Sequence, residues 1–185
     1  MNLILIASSC GGLVALDGIF RDLPALDACV VIVQHMPVLI NDSVRERLGS
    51  LTAMRVALAE DGKALQSGAA FIAPSDVHLE LVGNRRMRLV RGERVNYVCP
   101  AADVTFLSVQ EPAPGSRLMG IILSGMGHDG AAGLAHLRRL GAVTLAQEEG
   151  SCAVYGMPRV AVESGCVERS LAPAQIRAAM IAWAG

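Results

Sequence analysis

Three short segments of the 185-residue chain gather the side-chain types that hydrolytic chemistry needs. Ala7-Ser8-Ser9-Cys10-Gly11-Gly12 puts a hydroxyl, Ser9, at the head of a run of small residues. On a sharp strand-to-helix turn such a hydroxyl is pushed out of the sheet as a nucleophile, and the N–H groups that follow face a developing oxyanion. Cys10 is a rival nucleophile, because a thiolate attacks more strongly, but it lies one residue further into the turn, where its backbone N–H suits the oxyanion role. Ser9 is therefore the expected nucleophile. Gln34-His35-Met36-Pro37 supplies a histidine, whose unperturbed pKa of about 6.5 suits a general base. Ser124-Gly125-Met126-Gly127-His128-Asp129-Gly130 supplies Asp129, which can orient an imidazole and stabilise its cation. Each segment alone is a weak sign: a Ser-x-Gly-Gly turn is more often a plain turn or a phosphate cradle, a histidine after a strand is more often structural, and an Asp before Gly often only caps a helix. Their weight comes from occurring together, each directly after an apolar run of strand length.

Those runs are the elements that must position the three groups. Leu3 to Ala7, Val30 to Val33, Ala69 to Ile72, Gly120 to Leu123 and Ala142 to Ala146 read as strands buried on both faces. Helical spacing recurs at Leu13 to Phe20, at Asn41 to Leu51 with an Asn or Asp cap at its start, from Asp103, at Gly130 to Leu140 and at Pro173 to Trp183. Alternating strands and helices predict an α/β fold: a doubly wound, mostly parallel sheet in a Rossmann-like three-layer arrangement. Leu79, Leu81, Met87 and Leu89 alternate with polar residues around Gly83-Asn84, so His78 to Val90 adds a small β-hairpin. In such a sheet ligands gather beyond the carboxyl ends of the strands, where all three segments lie. The length predicts one domain over residues 1–185, since a division in the loop Gln110 to Ser116 would leave two incomplete sheets.

Composition removes other classes. Hydrophobic residues make up 52% and charged residues 18%, which excludes disorder, and 3% aromatics suit a helix-covered sheet better than a sandwich. Sixteen basic residues against 17 acidic ones leave no excess for nucleic acid. No uninterrupted apolar run reaches membrane-spanning length, and no leader precedes the first strand, so no membrane insertion and a cytoplasmic location are expected. Five scattered cysteines without Cys-x-x-Cys predict neither disulfides nor zinc, and no cofactor is expected. A dinucleotide module would need Gly-x-Gly-x-x-Gly and an acid after the second strand, where Gln34-His35 stands instead. Arg85, Arg86, Arg88, Arg91 and Arg94 crowd the hairpin and read first as a solvated face, with docking to an acidic surface as the alternative. His78 and His136 read as structural or exposed, and His128 as a neighbour of the site.

At these segments the sequence resembles, along nearly its whole length, the catalytic domain of the bacterial chemotaxis protein-glutamate methylesterases. The family's nucleophile motif Gly-Ala-Ser-Thr-Gly-Gly is similar to Ala7-Ser8-Ser9-Cys10-Gly11-Gly12, with Ala7 for the first glycine and Cys10 for the threonine. Gln34-His35-Met36-Pro37 matches fully, and Ser124 to Gly130 matches the aspartate motif. Further similarities are Glu60-Asp61-Gly62, Ile72-Ala73-Pro74, His78 to Leu81, Pro100 with Asp103, Ala146-Gln147 and Tyr155-Gly156-Met157-Pro158. Family members often carry basic residues before the proline that corresponds to Pro100, whereas Asn96-Tyr97-Val98-Cys99 has none. The resemblance implies a serine hydrolase using Ser9, His35 and Asp129, with the backbone N–H groups of Cys10 and Met126 binding the oxyanion. It implies hydrolysis of glutamate γ-methyl esters on the cytoplasmic helical bundle of methyl-accepting chemotaxis receptors, with glutamine deamidation as a second branch. Many family members carry an N-terminal phospho-receiver domain, and none is expected within these residues.

Overall fold

A computed structural model describes all 185 residues. Strands β1 (Asn2–Ser8), β2 (Ala28–Gln34), β3 (Arg55–Leu58), β4 (Ala69–Ile72), β7 (Leu118–Ile122), β8 (Val143–Gln147) and β9 (Arg169–Leu171) form one sheet in the order β3-β4-β2-β1-β7-β8-β9. Every pairing in it is parallel. β5 (His78–Val82) and β6 (Arg86–Val90) make a separate antiparallel hairpin. The helices are α1 (Gly12–Phe20), α2 (Asn41–Leu51), α3 (Ala102–Leu107), α4 (Ala131–Arg139), α5 (Met157–Glu163) and α6 (Pro173–Ala184).

Side chains of a strand point alternately to the two faces, and β1 shows how the apolar runs are used. Ile4 and Ile6 enter one core with Leu16, Ile19 and Phe20 of α1, Val44 and Leu48 of α2, and Ile176 and Met180 of α6. Leu3, Leu5 and Ala7 enter the other with Phe106 of α3, Leu134 and Leu137 of α4, Ala161 of α5, and Leu79, Leu81 and Met87 of the hairpin. Burial on both faces is why these strands read as continuous apolar runs.

The sheet grows outward from β1 in both directions, toward β2 on one side and β7 on the other. This reversal of strand order opens a crevice at the carboxyl ends of the three central strands. Ser8 pairs with Gln34, and Ala7 with Ile122, so Ser9, His35 and the residues after Leu123 leave the sheet side by side.

Some local expectations need correction. Helix α2 has the predicted span, but no side chain caps it; Asn41 instead accepts a hydrogen bond from the Ser75 hydroxyl at 2.8 Å, tying the helix start to the loop after β4. β3, β9 and α5 had no counterpart in the sequence pattern. β3 is a four-residue edge strand with no fully buried residue, β9 has three residues, and α5 has seven, starting at Met157 directly before Pro158. No helix is long and apolar enough to cross a membrane.

Candidate active site

The Ser9 turn is held almost entirely by the backbone. Ser9 N–H donates to the Ser124 carbonyl at 3.0 Å and the Ser9 carbonyl accepts from Gly12 N–H at 2.8 Å, closing the turn into α1. Gly11 takes φ +78°, and a Cβ there would stand 2.5 Å from the Ala153 Cβ, so both backbone conformation and space require glycine. The Ser9 side chain is half-buried, and its hydroxyl makes no hydrogen bond to His35 or to any other group within the protein. The neighbouring Ser8 is buried, and its hydroxyl donates to Gln34 Oε1 at 2.6 Å.

His35 leaves the end of β2 with its N–H bonded to the Ser8 carbonyl at 3.0 Å. Its ring Nε2 lies 2.9 Å from Asp129 Oδ2, an ion-pair geometry across 94 residues of sequence. Asp129 is 2% exposed. Oδ2 also accepts from Ala102 N–H at 2.6 Å, while Oδ1 accepts from Asp103 N–H at 3.2 Å and Asn96 Nδ2 at 2.8 Å. Burial pushes the Asp129 carboxyl up, but the hydrogen bonds from His35, Asn96, Ala102 and Asp103 outweigh it and hold the group below its usual range. An ionised carboxylate only accepts, so Nε2 carries the proton in this pair and Nδ1 is the ring nitrogen left over.

The third segment lies against the first. A Cβ placed on Gly125 would stand 2.8 Å from the Ser9 Cβ, so the Gly125-Met126 backbone is packed directly on the serine. Gly125 is pinned by three backbone hydrogen bonds, from its N–H to the Val154 carbonyl and from the N–H groups of Gly156 and Met157 to its carbonyl. Ser124 beneath it donates to the Cys10 carbonyl at 2.8 Å, and its own N–H donates to Gln147 Oε1 at 2.9 Å. The N–H groups of Cys10 and Met126 have no acceptor within the protein, and both side chains are exposed. Two unpaired donors flanking a serine are what an oxyanion site requires.

The remaining residues singled out in the sequence stand elsewhere or do structural work. His128 is exposed and its ring makes no hydrogen bond. His78 is buried, with Nε2 bonded to the Glu93 carbonyl and Nδ1 accepting from Ala101 N–H, and His136 bonds the Val109 carbonyl. Arg88 pairs with Glu80 across the hairpin, Arg86 donates to the Gly62 carbonyl and Arg94 to the Tyr97 carbonyl. The five cysteines are free, and burial pushes the Cys29 thiol up to about 12. No group of three or more His, Cys, Asp or Glu side chains is arranged to hold a metal ion.

Three polar residues matter more than the sequence alone suggests. Gln34 Nε2 donates to the carbonyls of both Ser9 and His35, at 3.1 and 2.8 Å. Gln147 carries Ser124, and Asn96 reaches Asp129. The available signal was positional: Gln34 and Gln147 are amides at the last position of mostly apolar strands, where a buried polar group must have partners.

The sequence model of the CheB methylesterase family matches residues 4–180. The chain is 44% identical over 184 residues to the protein-glutamate methylesterase/protein-glutamine glutaminase of Yersinia pestis bv. Antiqua (strain Antiqua), covering 98% of this chain and 52% of that protein. The protein of the same name from Salmonella typhimurium (strain LT2) is 42% identical over the same length. The chain thus spans about half the length of the curated relatives it matches. Among solved structures, the catalytic domain of the Thermotoga maritima CheB methylesterase superposes with a TM-score of 0.92 at 33% identity, covering 98% of each chain.

Proposed function

Because the chain belongs to the CheB methylesterase family, we propose that it hydrolyses glutamate γ-methyl esters on chemotaxis receptors, with Ser9 as nucleophile, His35 as base and Asp129 as the acid that orients it. The observation that carries this reading is the juxtaposition, at the carboxyl ends of the central strands, of an uncommitted Ser9 hydroxyl, the His35–Asp129 pair and the two unpaired N–H groups. His35, its Nε2 proton held by ionised Asp129, takes the Ser9 proton on Nδ1 as Ser9 Oγ attacks the ester carbonyl. The hydrogen bond from Ser9 to the base forms on substrate binding, as is common for catalytic contacts in unliganded enzymes. Negative charge on the carbonyl oxygen falls to the N–H groups of Cys10 and Met126, each worth about 3 kcal/mol in comparable hydrolases. The imidazolium then protonates the departing methoxide, methanol leaves, and the acyl-Ser9 ester is hydrolysed by a water that His35 activates, regenerating the enzyme and a free glutamate.

The curated relatives also carry a glutaminase name, and the same machinery serves that reaction. A glutamine side chain passes through an identical acyl-enzyme, with ammonia in place of methanol. The partner is the helical bundle that such receptors present in the cytoplasm; the exposed Met126 and Cys10 beside Ser9 are the first surfaces such a bundle would meet. Methanol release from methylated receptor is the direct assay, with ammonia release from an unmodified glutamine site beside it. Ser9→Ala is expected to abolish both while leaving the melting temperature unchanged. Turnover that survives in Ser9→Ala refutes the assignment.

A further inference from the structure

We propose that Asn96 is a positioning residue for Asp129, and that it works by holding two buried acids apart with a single amide. The proposal rests on the reading of Ser9, His35 and Asp129 given above. Asn96 takes φ +53°, a left-handed conformation that Asn adopts more readily than most residues, inside a loop closed by reciprocal backbone hydrogen bonds between Val95 and Val98. Its Nδ2 donates one hydrogen to Asp129 Oδ1 at 2.8 Å and the other to Asp103 Oδ2 at 2.7 Å. The second oxygen of Asp103 accepts from Gly133 N–H at 2.7 Å, so this acid is itself immobile. Both carboxylates are buried, and no lysine or arginine bonds either one.

The arrangement has a directional consequence. With Oδ1 engaged by Asn96 and Asp103 N–H, the plane of the Asp129 carboxylate is set and Oδ2 is the oxygen turned to His35. The titratable and charged groups nearest Asp129 are His35 beyond β2, Asp103 on α3 and, next to it in the chain, the exposed His128; His78 of β5 bonds Ala101 N–H, one residue before the Ala102 N–H that Asp129 accepts, and Arg94 on the Asn96 loop spends its guanidinium on the Tyr97 carbonyl. The amide of Asn96 is therefore the one side chain that bonds both carboxylates. Asp103 reflects that crowding: burial pushes its carboxyl up, and the charge of Asp129 adds to the effect. Removing the amide leaves Asp129 free to turn and raises the negative potential around the imidazole, which favours its cation and leaves less free base to accept the Ser9 proton on the acidic side.

Asn96→Gly deletes the amide and keeps the backbone unstrained, because glycine takes positive φ freely. Asn96→Asp keeps the conformational preference and places a third carboxylate between the other two. Both are assayed for methanol release from a peptide carrying a glutamate γ-methyl ester, across pH, beside Asp103→Asn and Ser9→Ala. Loss of one hydrogen bond to a charged group predicts a fall in kcat of about 10- to 100-fold, with little change in KM. The acidic limb of kcat/KM is expected to move to higher pH in Asn96→Gly, further in Asn96→Asp, and to lower pH in Asp103→Asn. Wild-type kcat with an unmoved limb in the Asn96 variants, or a limb that moves the same way in Asp103→Asn, overturns the proposal. Survival of turnover in Ser9→Ala strikes the catalytic reading instead, whereas loss in Ser9→Ala with wild-type behaviour in both Asn96 variants strikes this proposal alone.

Discussion

Gln34→Leu probes whether one side chain keeps the nucleophile and the base in register. Gln34 closes β2 at 2% exposure with every polar atom engaged: Nε2 donates to the Ser9 and His35 carbonyls, and Oε1 accepts from the Ser8 hydroxyl. Leucine has a similar volume, so the cavity contribution is small and the lost hydrogen bonds dominate. At about 1 kcal/mol each they sum to about 3 kcal/mol, and leaving buried partners unpaired raises the cost to about 3–5 kcal/mol. Relaxation offers little relief, since a Cβ on Gly12 would already lie 2.6 Å from Gln34 Oε1. In a domain of this size each kcal/mol moves the melting temperature by about 2–4 °C, so a fall of about 6–20 °C is expected. Catalysis is expected to suffer separately, because a shift of about 1 Å between Ser9 and His35 costs about 100-fold in turnover. Thermal unfolding by circular dichroism and methanol release below the melting point read the two effects independently. A melting temperature within about 2 °C of wild type, together with kcat within about twofold, refutes the reasoning and leaves Gln34 as mere filling.

Gly11→Ala combines a strained positive φ with a Cβ 2.5 Å from that of Ala153 and 2.8 Å from Ser124 Oγ, so about 2–4 kcal/mol of stability should be lost in urea unfolding, with kcat falling more than KM rises; an unchanged unfolding midpoint would count against it. Asp129, held below its usual range, contributes stability that is complete above the unfolded value of about 3.9 and is lost as pH falls through its lower folded value, while Asp103, pushed up by burial, contributes below its usual value and loses that contribution as pH rises through its raised folded value. Urea unfolding from neutral pH into acid should therefore show a shallower acid decline in Asp129→Asn than in wild type, and identical slopes would sink this account. Thiol labelling of the native protein should reach exposed Cys10 first and buried Cys29, whose thiol is pushed up to about 12, only on unfolding. Early mass-spectrometric labelling of Cys29 would contradict its burial.

Much of the fold is legible in the chain because burial on two faces leaves an unmistakable mark. β1, β2, β4, β7 and β8 are apolar almost throughout, and each polar cluster that follows them announces a strand end. The hairpin is equally plain, with alternating residues about Gly83-Asn84. β3 and β9 escape notice for the converse reason: short edge strands face water, are paired on one side only, and need no apolar pattern. The capping expectation for α2 fails because Asn41 has a better partner in Ser75, 34 residues away.

The candidate site divides in the same way. Sequence alone picks out Ser9, His35 and Asp129, since each type is chemically distinctive and sits just beyond a run that can only be a buried strand. Tertiary structure decides which atoms meet. Strand order β2-β1-β7 sets His35 and the Asp129 loop on either side of Ser9, although 94 residues separate the paired His35 and Asp129. Gln34 and Gln147 acquire their roles from the strands they terminate, Ser124 from the turn after β7, and Asn96 from a loop that brings it between acids 7 and 33 residues away. Local pattern records what each segment needs from water, and so it marks strands and reactive groups. Hydrogen bonds across the sheet record which segments were brought together, and that follows from the packing of the whole chain.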